Sequence, residues 1–363
     1  MSPETLHRNI KNTYYRSAAK KYYTKKGQYK MLISYYFPPT ILTNEELEKE
    51  YASPSWTASK IYRKTGIKSR HIAKDELASD IAVEAGKKLF AEYGISPSQI
   101  DFLLLCTQSP DYYLPTTACI VQDRLAIPTS AGAFDYNLGC SGYIYGLATA
   151  KGLLSAGIAK NVLLITAETY TKHIHPLDRS TRTVFGDGAS ATLLREEDIA
   201  RIGQFVLVTD GKGAQNLIVP TGAMANPRTE ETAKESEDAN GNIRSMDNIY
   251  MNGPEIYAFT LRGVPELIEK TLAKNNTTME KLDYIILHQA NKLVLDSLRE
   301  KLEIPEEKYC VDVENIGNTV SSTIPIALKR SMERGIPQLK KGSKILIAGF
   351  GVGYSLGATI ITL

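Results

Sequence analysis

The sequence predicts an α/β protein made of two similar halves. Two observations indicate this fold: apolar runs of strand length alternate with helical patterns, and several short segments occur twice. The run Ile100–Cys106 is matched in the second half of the chain by Leu282–His288, and Val162–Ile165 is matched by Ile345–Ala348. The members of each pair are separated by almost the same number of residues. Two copies of a strand–helix–strand–helix–strand unit predict two halves related by pseudo-twofold symmetry.

The middle of each copy leads into a turn that precedes a helix. Phe134–Tyr136 is a strand-like run whose counterpart is Val311–Val313, and Gly139 corresponds in position to Gly317. Small and apolar residues follow at helical spacing in both halves. Each copy is therefore expected to have a strand, a glycine turn and a helix here. The glycine-rich stretch Ile345–Leu363, which has no charged residue, predicts a strand, a turn and a second strand.

The charge of the chain is unevenly distributed. The 363 residues include 43 Lys and Arg against 40 Asp and Glu, but residues 1–30 hold eight of the basic residues and only one acidic residue, Glu4. The remainder is slightly acidic, which argues against nucleic-acid binding by the folded body. Residues 1–27 are assigned to a basic N-terminal extension that is expected to be dispensable or locally docked.

Export, membrane insertion and metal binding are not indicated. The basic N-terminal stretch lacks the apolar core of a secretory signal, and four glycines interrupt the only uncharged stretch of membrane-spanning length. The four cysteines lack the paired spacing of a disulfide framework or a zinc site; they are Cys106, Cys119, Cys140 and Cys310. These features predict a cytoplasmic protein with no membrane span and no metal.

Three side chains capable of chemistry lie where predicted strands end. Cys140 and Asn318 occupy the equivalent strand-to-helix turns, each directly after a glycine, and His288 ends a strand-like run. Because functional groups collect at the carboxyl ends of strands in α/β folds, these side chains are expected to meet between the halves. A thiol at the amino end of a helix is expected to favour the thiolate, so Cys140 is a candidate nucleophile.

Taken in order, the motifs resemble those of the β-ketoacyl-acyl-carrier-protein synthase III family of the thiolase superfamily. They are Lys64–His71, Asn137–Gly142, Phe185–Ala189, Met251–Ile256, His288–Asn291, Glu314–Asn318 and Gly349–Gly353. The resemblance begins at residue 28 and runs to residue 363. It implies a five-layer α-β-α-β-α fold, with an N-terminal half over residues 28–199 that carries the cysteine and a C-terminal half over residues 200–363 that carries the histidine and asparagine.

The resemblance also implies a two-step condensation. An acyl-CoA would acylate Cys140, and His288 and Asn318 would then stabilise the enolate formed when a malonyl thioester loses carbon dioxide. The backbone N–H groups of Cys140 and Val352 would form the oxyanion hole for the carbon–carbon bond-forming step. Coenzyme A enters as part of a substrate, and no cofactor or metal is implied.

Substrate-binding residues follow from the same resemblance. Trp56 and Arg179 are expected to stack on the adenine of coenzyme A, Asn291 to face the pantetheine arm, and Gly253 to take part in substrate binding. Leu114 occupies a position where the family often has a phenylalanine that closes the acyl pocket. The smaller side chain predicts an acyl group longer than acetyl.

The expected partners are an acyl-CoA donor and malonyl-acyl carrier protein, and the expected assembly is a homodimer. At three surface positions where the family commonly has a basic residue for the acidic carrier, this chain has Ala258, Leu293 and Glu300. Loss of these charges weakens the match to that carrier. The polar stretch 226–248 is expected to be a solvated loop.

Three alternatives stay open at this point. A related acyltransferase would pass the acyl group from Cys140 to an oxygen or nitrogen nucleophile, or to another acceptor without a carrier, in secondary-metabolite or polysaccharide biosynthesis. A non-catalytic subunit of the same fold would not need to keep Cys140, His288 and Asn318. A papain-like protease uses the same three residue types in the same order, but the tryptophan-flanked signature of its cysteine is missing.

Overall fold

Two mixed β-sheets form the frame of the structure. A computed structural model describes residues 31–363, so the predicted basic extension, residues 1–27, lies outside the described residues. The strands are β1 (Leu32–Tyr36), β2 (Thr40–Thr43), β3 (Ser69–Ile72), β4 (Phe102–Cys106), β5 (Gly132–Tyr136), β6 (Asn161–Glu168), β7 (Gly188–Arg195), β8 (Val206–Thr209), β9 (Leu217–Ile218), β10 (Ser236–Glu237), β11 (Ile243–Arg244), β12 (Tyr250–Met251), β13 (Tyr284–Leu287), β14 (Lys344–Gly351) and β15 (Ser355–Thr362). The helices are α1 (Asn44–Tyr51), α2 (Ala58–Thr65), α3 (Ala78–Tyr93), α4 (Thr117–Arg124), α5 (Gly142–Ser155), α6 (Arg179–Arg182), α7 (Gly253–Lys274), α8 (Lys292–Lys301) and α9 (Thr323–Glu333).

The four strands of the second sheet follow the same order as four of the five strands of the first. The five-stranded sheet has the order β1-β7-β6-β4-β5, and the four-stranded sheet has the order β8-β15-β14-β13. Each contains a parallel pair, β4 with β6 and β13 with β14, next to an antiparallel strand, β7 or β15. The predicted duplication is therefore confirmed, and so is the strand–turn–strand structure of the uncharged C-terminal stretch, which forms β14 and β15.

The duplication is incomplete at one edge of the second sheet. β5 pairs with β4 in the first sheet, whereas the strand predicted at Val311–Val313 is wrong: a single parallel bridge, at Tyr309, takes its place. The backbone N–H of Asp312 donates instead to the side-chain oxygen of Gln289 at 2.7 Å. Because a side chain satisfies this backbone donor, the segment does not depend on strand pairing.

Helices complete five layers. α5 and α9 lie between the two sheets and contact strands of both. α3 and α4 pack on the other face of the first sheet, and α7, with α8 beside it, packs on the other face of the second. This α-β-α-β-α arrangement is the predicted fold class. Within residues 31–363, no helix combines the length and apolar character that crossing a bilayer requires.

The sequence of α5 explains the central layer. Its buried side chains recur every three or four positions and include Tyr143, Ile144, Leu147, Ala150 and Leu154. They belong to one apolar cluster with Leu164 of β6 and Ile347 of β14. Burial of each large apolar side chain contributes about 1.5–3 kcal/mol, so this layer joins the two halves. The turn before α5, which carries Cys140, is thereby anchored between both sheets.

Candidate active site

Cys140 lies in the turn between β5 and α5. The backbone N–H of Gly142, the first residue of α5, donates to the carbonyl of Gly139 at 2.8 Å and closes the turn around the cysteine. The hydroxyl of Ser141 shares a 2.7 Å hydrogen bond with the hydroxyl of Ser355, at the start of β15. A strand of the second half therefore holds the turn that carries the thiol of the first half.

Burial governs the ionisation of Cys140. The residue is 6% exposed, and burial raises the pKa of its thiol to about 12, with a further contribution from Glu168. A hydrogen bond from its own backbone N–H lowers the pKa but does not offset burial. The predicted bias toward the thiolate is therefore wrong for the free site. The thiol is neutral at pH 7, because the loss of hydration destabilises the thiolate more than hydrogen bonding in the turn stabilises it.

His288 directly follows β13. Its backbone N–H donates to the carbonyl of Ala348 at 2.8 Å and continues the pairing of β13 with β14. Its ring nitrogen Nδ1 lies 2.7 Å from the hydroxyl of Thr323, the first residue of α9. The imidazole of His288 and the ring of Phe350 pack in a T-shaped arrangement, with ring centroids 5.5 Å apart. Burial lowers the pKa of His288 to about 3, so the imidazole is neutral near pH 7.

Asn318 is held by backbone contacts with the first half. Its N–H donates to the carbonyl of Val184 at 3.0 Å, and its carbonyl accepts from the N–H of Gly186 at 3.0 Å. Gly317 has a φ of 67°, and a Cβ there would lie 2.9 Å from the same Val184 oxygen. Glycine is needed here both for the left-handed backbone and for the close approach. The Phe185–Ala189 motif therefore helps to hold the backbone of Asn318 in place.

The three side chains line one cavity of about 320 Å³. The side-chain oxygen of Asn318 accepts from the N–H of Val320 at 2.8 Å, which leaves Nδ2 to lie 3.4 Å from Nε2 of His288. Two nitrogens at this separation can both donate to a single oxygen placed between them. The cavity thus combines a thiol, Cys140, with a pair of side chains suited to stabilise an enolate or oxyanion.

A buried carboxyl group close to Cys140 was missed by the sequence analysis. Glu168, the last residue of β6, accepts hydrogen bonds from the backbone N–H of Gln108 at 3.2 Å and from the hydroxyl of Ser321 at 3.0 Å. Burial raises its pKa to about 8; the hydrogen bonds oppose this, and Asp187 adds to it. Ser321 lies in the short 3-10 turn after Asn318. A single Glu after an apolar run gives no local signal of these distant partners.

Two predicted substrate-binding residues line the same cavity as the triad. Asn291 caps α8, where its side-chain oxygen accepts from the N–H of Val294 at 3.0 Å, so its NH₂ group remains to donate elsewhere. Gly253 begins α7, and a Cβ there would meet nothing within 4 Å. Leu293, one of the altered carrier positions, also lines the cavity and is 57% exposed.

Trp56 and Arg179 meet through a third residue, Tyr51. The Tyr51 ring packs edge-on against Trp56 with centroids 6.1 Å apart, and the guanidinium carbon of Arg179 lies 5.6 Å from the centre of the same ring. Lys64 places its ammonium 4.9 Å from the centre of the Trp56 ring. Neither Trp56 nor Arg179 lines the triad cavity. The two residues form an aromatic and cationic cluster outside it, in which Tyr51 was not predicted.

A second cavity, of about 660 Å³, adjoins the first. Val352, the predicted second oxyanion-hole residue, lines it, and Leu217 lines both cavities. Arg228, an exposed residue of the predicted loop 226–248, lines it as well. Leu114 lines neither cavity and is 85% exposed.

Known proteins resemble this chain over most of its length. Family models described as 3-oxoacyl-[acyl-carrier-protein] synthase III and its C-terminal part match residues 134–211 and 272–363. A β-ketoacyl-[acyl-carrier-protein] synthase III from Clostridium perfringens is 40% identical over 331 residues, 90% of this chain and 97% of the relative. The Koribacter versatilis enzyme of the same name is 36% identical over 330 residues, 90% and 95% of the two chains. A crystal structure of a 3-oxoacyl-(acyl-carrier-protein) synthase III gives a TM-score of 0.89 at 49% identity, covering 93% of this chain and 100% of that one. The chain therefore belongs to the β-ketoacyl-acyl-carrier-protein synthase III family of condensing enzymes.

Proposed function

We propose that this protein transfers an acyl group from an acyl-CoA to Cys140 and then joins it to malonyl-acyl carrier protein by decarboxylative Claisen condensation, in fatty-acid biosynthesis. The observation that carries the proposal is the convergence of Cys140, His288 and Asn318 on one cavity, with two side-chain nitrogens 3.4 Å apart. The relatives are named as β-ketoacyl-[acyl-carrier-protein] synthases III. Their names support a carrier-bound substrate despite the altered surface at Ala258, Leu293 and Glu300.

In the first step, Sγ of Cys140 attacks the carbonyl carbon of the acyl-CoA thioester. A new carbon–sulfur bond forms, the bond to the coenzyme A sulfur breaks, and the thiol proton leaves with coenzyme A as its free thiol. Because the pKa of the Cys140 thiol is raised to about 12, the proton moves during the attack rather than before it. His288 is neutral and so gives no charge stabilisation to a resting thiolate.

In the second step, His288 and Asn318 stabilise the enolate. Loss of carbon dioxide from the malonyl thioester puts negative charge on the thioester oxygen, to which Nε2 of His288 and Nδ2 of Asn318 donate. This role needs the imidazole proton on Nε2. The hydroxyl of Thr323 lies 2.7 Å from Nδ1 and 3.1 Å from the carbonyl oxygen of Val320, to which it donates in the free site. It would hold the Nε2–H tautomer once its proton turns from that carbonyl to Nδ1.

Carbon–carbon bond formation completes the reaction. The enolate carbon attacks the thioester carbonyl on Cys140, and the tetrahedral oxyanion accepts hydrogen bonds from the backbone N–H groups of Cys140 and Val352. Collapse of this intermediate releases the 3-oxoacyl product on its carrier and a cysteine thiolate, which regains a proton. Every proton and electron pair is supplied by the two thioesters, the thiol and water.

Coenzyme A is proposed to bind along the triad cavity toward the Tyr51 cluster. Asn291 and Gly253 border the cavity and would contact the pantetheine arm. Trp56 and Arg179 would hold the adenine, with Tyr51 as the residue that orients both. Substitution Trp56→Ala is expected to raise the KM for acyl-CoA and to leave the rate at saturating donor little changed.

Intact-mass measurement after mixing with acyl-CoAs tests the proposed function. We expect one acyl adduct per chain, which peptide mapping assigns to Cys140. Cys140→Ala should abolish the adduct, whereas the matched control Cys119→Ala, at an exposed thiol, should keep it. An adduct on any other residue, or no adduct from any donor, would overturn the mechanism.

A second measurement separates condensation from transfer to oxygen or nitrogen. Wild-type protein given acyl-CoA and malonyl-acyl carrier protein should release one carbon dioxide for each 3-oxoacyl product. Asn318→Ala should spare acylation of Cys140 and block this release. Turnover of the acyl-enzyme without carbon dioxide, in the presence of a hydroxyl or amine acceptor, would favour the transferase reaction instead.

The same protein is proposed to act as a homodimer that associates near the nucleophile. β5 is an edge strand of the five-stranded sheet, and large apolar side chains stand exposed on and near it: Phe134 at 38%, Tyr112 at 58%, Tyr113 at 72% and Leu114 at 85%. An exposed edge with apolar neighbours favours association. Leu114, which lines neither cavity of its own chain, would close the acyl pocket of a second copy. Light scattering should give a dimer mass for the wild type and a monomer for Leu114→Asp; an unchanged mass would contradict this interface.

A cytoplasmic location is also proposed. All four cysteines are free thiols, and three of them are buried, as suits a reducing compartment. Fractionation of cells that express the untagged chain should recover it with cytoplasmic markers.

A further inference from the structure

We propose that the acyl group carried by Cys140 enters the second cavity and ends in a carboxylate that binds Arg228. The inference rests on the proposed function and names the class of acyl donor for that site: the coenzyme A thioester of a dicarboxylic acid. The first step is unchanged in its chemistry, because the far carboxylate takes no part in the exchange of thioester bonds.

The second cavity shares apolar side chains with the cluster around Cys140, although Cys140 itself lines only the first cavity. Cys140 belongs to one buried apolar cluster with Tyr170, Leu217 and Ile249. The last three of these residues also line the second cavity, as does Val352, which packs against the same cluster. An acyl chain that starts at Sγ of Cys140 therefore meets apolar side chains first. Several methylene groups next to the thioester suit this part of the cavity.

The lining of the second cavity also contains polar side chains and one cation. Arg228 lines it and is exposed, and no ion pair or hydrogen bond of its guanidinium occurs among residues 31–363. Asp247 lies close enough for Arg228 to lower its pKa, but its carboxylate accepts from the hydroxyl of Thr221 at 2.5 Å. The one cation of the lining is therefore available to a ligand.

Two other ionisable groups of the lining, Asp111 and His173, have hydrogen-bond partners of their own. Asp111, the carboxylate of the lining, accepts from the backbone N–H of Ser79 at 3.2 Å. His173 places Nε2 3.2 Å from the hydroxyl of Ser109, and burial and the charge of Arg228 both lower its pKa. A neutral His173 adds a polar wall without a second positive charge. Among the described residues that line this cavity, Arg228 is the positively charged side chain that a carboxylate at the end of the acyl chain could bind.

A carboxylate suits this environment better than a methyl end. A guanidinium and a carboxylate form charge-assisted hydrogen bonds in a planar, bidentate geometry. An alkyl chain of the same length would place its apolar end against a hydrated cation and gain nothing from it. A difference of about tenfold in acylation efficiency is expected, the size of one charge-assisted hydrogen bond at a partly exposed site.

Competition between acyl-CoAs of matched length tests the inference. The probes are succinyl-, adipoyl- and suberyl-CoA against butyryl-, hexanoyl- and octanoyl-CoA, with formation of the Cys140 adduct followed by intact mass. In the wild type, at least one carboxylate-ended probe should acylate Cys140 about tenfold more efficiently than its alkyl partner. Arg228→Gln should remove this preference and leave the alkyl rates within about twofold. Arg262→Gln, at an exposed arginine of α7 that lines neither cavity, is the matched control and should keep it.

The outcomes separate this inference from the function on which it rests. Adducts that form with alkyl probes in preference to every carboxylate-ended probe overturn the inference alone. So does an Arg228→Gln variant that keeps the wild-type preference or slows both classes equally. No adduct from any of the six probes or from acetyl-CoA overturns the proposed function, and this inference with it.

Discussion

The buried carboxyl group of Glu168 makes the stability of the fold depend on pH. Glu168 is 0% exposed, and burial raises its pKa from the ordinary value of 4.5 to about 8. The folded chain therefore holds this proton more tightly than the unfolded chain does. Its contribution to the free energy of unfolding is fully present below pH 4.5 and is lost as the pH rises through 8.

The size of the effect follows from the two pKa values. Each pH unit between them is equivalent to about 1.4 kcal/mol, so the loss is about 4 kcal/mol between pH 5 and pH 9. Glu168→Gln cannot ionise and should lack this part of the pH dependence. The difference in unfolding free energy between wild type and variant should therefore fall by that amount over this interval. Asp187, whose pKa is raised to about 6, titrates in both proteins, so only its effect on the pKa of Glu168 remains in the difference.

Urea unfolding at five pH values from 5 to 9, at fixed protein concentration, measures this difference. Glu237→Gln, at an exposed carboxylate in β10, is the control and should follow the wild type at every pH. A difference between wild type and Glu168→Gln that stays flat, or that grows as the pH rises, would refute the reasoning. It would mean that Glu168 is ionised in the folded protein.

Three further outcomes are expected at the active site. Thr323→Val removes the partner of His288 Nδ1 and should slow decarboxylation about tenfold, the size of one lost hydrogen bond, while acylation of Cys140 persists. Thr323→Ser should restore the rate. An equal loss of rate in acylation and decarboxylation would argue for a general structural defect. Gly349→Ala places a Cβ 2.5 Å from the backbone carbonyl oxygen of Cys140. It should therefore lower the unfolding free energy by about 1–3 kcal/mol and abolish the acyl adduct. A stable variant with normal acylation would contradict the close packing of β14 on this turn. Because the pKa of His288 is lowered to about 3, the decarboxylation rate of a preformed acyl-enzyme should show no loss from His288 protonation between pH 5 and pH 8. A fall with a midpoint near pH 6.5, the ordinary value for histidine, would mean that the ring is solvated.

The positions of the reactive groups were largely predictable, whereas their protonation states were not. Cys140, His288 and Asn318 follow strand-like runs, and strands of an α/β fold bring their carboxyl ends together. The thiolate expected for Cys140 was wrong. The helix end that favours a thiolate can be recognised from neighbouring residues, whereas the burial that raises the pKa of the thiol depends on residues far away in the chain. The strand expected at Val311–Val313 was wrong for a similar reason: the side chain of Gln289, which lies outside that segment, takes a backbone hydrogen bond that a strand would have used.

The sequence by itself determined the duplicated α/β fold, the family, and which three side chains meet in the candidate site. These depend on periodicity and on short motifs, which neighbouring residues carry. Only the tertiary structure decided that Thr323 contacts His288, that Glu168 lies buried beside Ser321, and that Arg228 of a polar loop lines a cavity next to that of Cys140. Such contacts join residues far apart in the chain. Because pKa values and binding preferences depend on burial and on these distant partners, the chemistry of the site depends on how the two halves pack.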